Sequence, residues 1–294
     1  MAGRGRPRLG LPTARSIRLG RELRRLREQR DLSQNDVALL IEATDSKLSR
    51  IESGERTVTE ADLTRLLTVY GLRPDGTRWT RLKTLNEQVA VKDWWDEHSE
   101  QIESGYAEWL WLEDVAARLS AFQAALIPAL LQTPDYARAV ERARRPYRSP
   151  SDIDAAVDIC RRRQDVLTRA ENPAEFDVVL DESALRREVG GRQVASEQLA
   201  RLLAASQASN VTLRVLPFSA GAWRSPASSF VQFMLTDTED APTDVVCVEH
   251  AAGCLYLDGS NDVRRFSEAY EDARDKALDP DESAELIDQI VKAF

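Results

Sequence analysis

At 294 residues and 43% apolar composition, the chain is long enough for two domains with separate cores, and its net charge of −9 excludes a protein that coats nucleic acid over its whole surface. The charge is unevenly spread: residues 1–85 carry 18 Lys/Arg and 11 Asp/Glu, or +7, whereas the remainder carries 22 and 38, or −16. A basic front meets the need of phosphate contacts for local positive potential, and an acidic back has a different task. No apolar run approaches the roughly 18 residues that read as a membrane span. The Arg-rich start also lacks the hydrophobic stretch of a signal peptide. Cys160, Cys247 and Cys254 are odd in number and follow no scaffold spacing, which fits a reducing compartment. The expected location is the cytoplasm.

In chain order, residues 1–15, MAGRGRPRLGLPTAR, mix Gly, Pro and Arg without apolar periodicity and predict a flexible basic arm. Leu19, Leu23 and Leu26 then recur at helical spacing among arginines, which predicts an amphipathic helix. Ser33 can cap a second helix, facing inward through Val37, Ala38 and Leu40 or Ile41, and Thr44 a third, facing inward through Leu48 and Ile51. Thr57 and Glu60 form a capping box for a fourth helix carrying Leu63, Leu66, Leu67 and Tyr70, closed by Gly71. RPDGT at 73–77 marks a turn. The expectation is an all-α head of four to five helices over residues 16–78.

From residue 79 to 294 a larger α+β domain is expected, helical over 79–172 and mixed over 173–294. Long helices are predicted through LKTLNEQVAVKDWWDEH and YAEWLWLEDVAARLSAFQAALIPALLQTPDYARAV, the second broken or kinked at Pro128. Another helix is predicted through DIDAAVDICRRRQDVLTRA. After Pro173, FDVVLD, VTLRVLP, SSFVQFML, DVVCVEH and GCLYLD read as about five short strands of a small antiparallel sheet. SEQLARLLAASQAS and the segments after GSND read as helices.

The second and third helices have the layout of a helix-turn-helix, in which the second helix of the pair lies in the major groove with its N-terminal residues against base edges. Leu48 and Ile51 anchor it. Asp45, Ser46 and Ser49 then face outward, with Lys47 and Arg50 on the flanks within reach of phosphates or a guanine. Gln34 opens the preceding helix, where its amide or the backbone N–H groups can hold a phosphate. Asp45 has two readings: it complements the helix dipole, or its carboxylate accepts from cytosine N4.

LSQNDVALLIEATDSKLSRIESGER resembles the XRE (Cro/cI-type) helix-turn-helix family at Leu32, Ser33, Gln34, Ala38, Thr44, Leu48, Ser49, Arg50, Ile51, Glu52 and Gly54. The resemblance implies DNA contacts from Gln34, Thr44, Asp45, Ser46, Lys47, Ser49 and Arg50. Glu42 stands where that family usually has glycine, and a side chain in a left-handed turn costs about 1 kcal/mol.

IPALLQTPDYARAV, RRRQDVL, FDVVLDESALRREVGG and the strand segments resemble the C-terminal domain of actinobacterial WhiJ-like, antitoxin-like regulators, over about residues 95–285. That resemblance implies a small protein partner. Ala129 replaces the glycine of the group's PGLLQT motif.

Other chemistry is weakly supported by the sequence. Cys247, His250 and Cys254, with Cys160 as a fourth ligand, could hold zinc, but cysteines on strands also pack as small hydrophobes. Two histidines, no Gly-rich phosphate loop and no nucleophile elbow leave little for catalysis, and no enzyme and no cofactor is expected. Asp181 and Glu182 fit a helix start. Trp94, Trp95, Tyr106, Trp109 and Trp111 could form core, an interface or a small-molecule pocket. RRRQ at 161–164 reads as a solvated helix face. The expected protein is a DNA-binding transcriptional regulator, dimeric on double-stranded DNA, controlled by a small-molecule effector or protein partner on its C-terminal domain. The alternative is an antitoxin-like interaction module that autoregulates, and a metal-dependent enzyme is third.

Overall fold

In the computed structural model, which describes residues 13–91, 93–98, 102, 105–224, 228–235, 244–250 and 253–294, Thr13 caps the first helix. Its Oγ1 accepts from the Ser16 N–H at 3.1 Å and starts α1 (Ala14–Glu28), so two residues assigned to the arm are helical and residues 1–12 lie outside the described residues. Leu19, Leu23 and Leu26 are buried as the periodicity requires. Ser33 and Asp36 make a reciprocal capping box at α2 (Gln34–Leu40), and Thr44 caps α3 (Asp45–Glu52). Of the two inward candidates ending α2, Ile41 is buried and Leu40 is exposed.

α4 (Glu60–Val69) starts two residues later than the Thr57–Glu60 spacing predicts. Thr59 is its cap, accepting from the Asp62 N–H at 3.1 Å, while Glu60 accepts from Lys83 Nζ at 2.8 Å. Both Thr–acid pairs have capping spacing. Burial of Val58 and the bond from Lys47 to Asp62 select the second.

α5 (Thr77–Glu87) buries Trp79, Leu82 and Leu85 and brings Arg78 and Arg81 to the fully buried Glu22 of α1. The first compact unit extends to Asp96 and the second begins at Glu97. The long helix expected through KDWWDEH ends at Glu87, followed by 3-10 turns at Gln88–Ala90 and Trp94–His98.

The second unit runs α6 (Tyr106–Val115), β1 (Ala116–Gln123), a 3-10 turn at Ala129–Leu131, α7 (Pro134–Arg144), α8 (Pro150–Arg163) and α9 (Asp165–Thr168). It continues through β2 (Glu175–Asp181), α10 (Glu182–Arg186), α11 (Arg192–Ala205), β3 (Val211–Leu216) and a 3-10 turn at Phe218–Ala220. β4 (Phe230–Leu235), β5 (Val245–His250), β6 (Gly253–Leu257), α12 (Ser260–Lys276) and α13 (Pro280–Ala293) complete it.

Six described strands form one sheet in the order β3-β2-β1-β4-β5-β6, in place of about five antiparallel ones. The sheet is mixed. β1, β2 and β3 are parallel neighbours joined by helical crossovers, whereas β1-β4, β4-β5 and β5-β6 are antiparallel.

β1 is the missed strand: AARLSAFQ is rich in helix formers, and a helix was expected through it. Its position between β2 and β4, with Leu119, Ala121 and Phe122 buried, overrides local preference. Successive residues serve opposite cores. Phe122, Val179, Phe230 and Val246 meet Tyr270 and Ala273 of α12, whereas Ala121, Val178, Val215 and Val231 face the layer of Leu112, Tyr136, Leu199 and Ile287.

Candidate nucleic-acid interface

The connection between α2 and α3 turns at Glu42, whose φ of 56° lies in the left-handed region. The Ala43 N–H donates to Ala38 O at 2.8 Å, closing the helix end, and Arg65 Nη1 donates to Ile41 O at 3.3 Å. Arg65 also faces Glu42 at 3.7 Å, but both side chains are exposed, so this pair offsets little of the backbone cost.

α3 is held from behind by three kinds of contact. Leu48 and Ile51 enter the core. Glu52 accepts from Arg27 through two bonds, Nε–Oε1 at 2.7 Å and Nη2–Oε2 at 3.0 Å, and from Gln34 Nε2 at 2.8 Å, tying α1, α2 and α3 together. Paired donors of this kind fix orientation as well as adding energy. The hydrogen bond to Glu52 outweighs burial and holds the Arg27 guanidinium above its ordinary range. Finally, a Cβ on Gly20 would lie 2.5 Å from Ile51 O, so α1 meets the backbone of α3 at a distance only glycine permits.

Behind α1, burial would raise the Glu22 carboxyl, but Arg18, Arg25, Arg81 and Arg78 outweigh it and hold it below its ordinary 4.5. The Arg18–Glu22 contact is 2.7 Å.

The face opposite these anchors is polar. Thr44, Asp45, Ser46 and Ser49 are exposed along one side of α3, with Arg50 half-exposed. The remaining two residues singled out from the sequence have partners within the head. Gln34 is half-buried against Glu52, and Lys47 Nζ lies 2.7 Å from Asp62. Burial opposes ionisation of Asp62, but hydrogen bonds from Lys47 and Thr59 bring its carboxyl below the ordinary 3.8. Arg50 Nε is 3.7 Å from the exposed Glu55. Asn35, Ser53 and Arg56, which the sequence reading did not single out, are also exposed beside these elements, and the Arg56 N–H donates to Arg50 O at 2.9 Å.

The other candidates resolve differently. Cys247 lies buried on β5, three residues from the exposed His250 and so on the opposite strand face. Burial pushes the Cys247 thiol up, and its hydrogen bond draws Cys254 down. Cys160 Sγ instead donates to Ala129 O at 3.5 Å. Among the described residues no three such side chains are placed to hold a metal. Asp181 caps α10, its Oδ1 accepting from the Ser183 N–H at 2.9 Å.

The aromatic residues fall in both units. Trp94 stacks edge-on with Trp95 in the first unit, and Trp109 meets Phe233 in the second. Nor is RRRQ wholly solvated: Arg163 is buried, with Nε and Nη2 each 2.8 Å from Glu113 and Nη1 bonded to the Tyr106 hydroxyl. Its place beside Glu113 on α6 decides this, because an unpaired charge could not be buried there. Ala129 is accommodated in a 3-10 turn and is not among the residues at positive φ.

Two family profiles match the chain. One described as a helix-turn-helix domain covers residues 18–79, and one described as a domain of unknown function, DUF5753, covers residues 106–289. No curated protein matches it.

Proposed function

From the premise that this chain belongs to the DUF5753 family and carries a helix-turn-helix domain ahead of it, we propose that it is a sequence-specific transcriptional regulator of XRE type. α3 enters the major groove, and the observation that carries this reading is its exposed row of Thr44, Asp45, Ser46 and Ser49 opposite the buried Leu48, Ile51 and Glu52. Ser46 and Ser49 are short enough to approach base edges, Arg50 reaches a guanine or a phosphate, and Asp45 accepts from cytosine N4. Arg56 and Asn35 add contacts to the backbone.

One α3 spans too few base pairs for useful selectivity, so the active species is a homodimer on two half-sites. The acidic second unit receives the controlling signal, a small molecule or a protein, and changes the spacing of the heads. The reading places the protein in the cytoplasm with no catalytic role. Among the described residues, no helix is long and apolar enough to cross a membrane.

Genomic footprinting of the wild type beside Arg50→Ala tests the core of this reading. Discrete protected sites that the variant loses are expected; unchanged occupancy would remove α3 from the interface.

The edge strand β6, with Leu255 exposed, favours a second reading in which an antitoxin-like module binds a small co-encoded protein and autoregulates. Co-purification with the product of an adjacent small gene, lost in Leu255→Lys, distinguishes it.

A further inference from the structure

The second unit holds a partly open cavity of about 160 Å³ between α6, α7, α8 and the sheet, walled by Trp109, Leu119, Ile127, Val140, Ile159 and Phe176. A cavity of about 150 Å³ accommodates one benzene, whereas drug-sized ligands occupy several hundred cubic ångströms. The space suits a single ring or a short branched chain.

One wall residue presents an unpaired side-chain amide. Gln123 projects from β1 on the same face as Leu119 and Ala121, lines the cavity and is 7% exposed, yet its side-chain amide makes no hydrogen bond among the described residues. The amide atoms keep access to the cavity and have room there for a ligand or a water.

The other buried polar groups around the cavity are occupied. Arg163 is held by Glu113 and Tyr106, and Gln132 Nε2 donates to Ile127 O at 2.7 Å. At the rim, Arg144, Arg145 and Arg148 at and beyond the end of α7 face two carboxylates, Glu141 and Glu249, leaving it positive. Glu141 accepts from Arg145 at 2.9 Å and lies 3.8 Å from Arg148, while Arg144 is exposed and in no ion pair among the described residues.

We propose that this cavity is a binding site for a small organic monocarboxylate: an apolar ring or branched body in the cavity, a polar group paired by Gln123, and the carboxylate at the Arg144 and Arg148 rim. The inference deepens the reading that the second unit receives a small-molecule signal and rests on it only for the effect on DNA.

Isothermal titration calorimetry of the full chain tests it with 4-hydroxyphenylacetate, phenylacetate and 4-hydroxyphenylacetamide. Saturable one-to-one binding is expected, with the first ligand at least fivefold tighter than either of the others. Gln123→Leu should remove the preference for the hydroxyl. Arg144→Gln should weaken both carboxylates about fivefold and leave the amide unchanged, with circular dichroism confirming that both variants fold. No saturable binding to the folded wild type, or variants that bind all three ligands as the wild type does, would overturn the proposal. Operator affinity is measured separately: binding without any change in it keeps the site and removes its effector role, whereas loss of DNA binding alone counts only against the helix-turn-helix reading.

Discussion

Glu42 occupies a turn whose φ of 56° is easier for glycine, and its partner Arg65 is exposed, so the strain is largely uncompensated. Glu42→Gly should stabilise the head by about 0.5–1 kcal/mol, because relief of the left-handed clash exceeds the entropy glycine adds to the unfolded chain. A rise of a few degrees in the head's melting transition is the expected reading. Lys47 raises a different question, since it ties α3 to Asp62 at 2.7 Å. If it also neutralises a phosphate, Lys47→Gln should weaken binding equally at all operator sequences and reduce the salt slope by about one. A change in the melting transition with an unaltered slope would assign Lys47 to the fold alone. Ser33 and Thr44 announced their caps in the sequence because a hydroxyl before an apolar period has one obvious use. Gln34 and Lys47 did not announce their partners, because Glu52 and Asp62 lie 18 and 15 positions away.

At the scale of elements, the seating of α3 depends on a glycine contact and on the carboxylates of Glu52 and Asp62, while Glu22 gathers arginines of α1 and α5. Gly20→Ala would drive a Cβ toward the Ile51 carbonyl at 2.5 Å, where backbone must move. A loss of about 1–3 kcal/mol, in line with other overpacked sites, should appear as a lower urea midpoint together with weaker DNA binding. Glu22 and Asp62 have folded-state pKa values below their ordinary 4.5 and 3.8. Their contribution is therefore complete above those unfolded values and is lost as pH falls through the lower folded ones. The head should lose stability on acidification below about pH 4.5, following the direction of these shifts. Urea midpoints that stay constant from pH 7 down to pH 3 would contradict this. β1 teaches the opposite lesson about elements: Ala, Arg, Leu and Gln favour a helix in isolation, and only pairing on both edges makes the segment a strand.

At the scale of the whole molecule, the net charge of −9 conceals a basic first 85 residues, so affinity for DNA should still fall steeply with salt. If the head neutralises about six phosphates, log affinity should decline against log salt with a slope near −5, readable by fluorescence anisotropy of a labelled operator. A flat dependence would mean that the basic front does not meet phosphate. The helix-turn-helix was legible in the sequence because its helices, caps and apolar spacings are local, each set within a few turns of chain. The five strands after Pro173 were legible for the same reason, from β-branched alternation bounded by turns. What tertiary structure alone decided is non-local: the sixth strand and parallel half of the sheet, the burial of Arg163 against Glu113, and the spare amide of Gln123 in a cavity built from several elements. Local propensity biases each segment toward helix or strand, whereas the partner of a strand edge or a buried charge, and in β1 the element type itself, is set by residues tens of positions away.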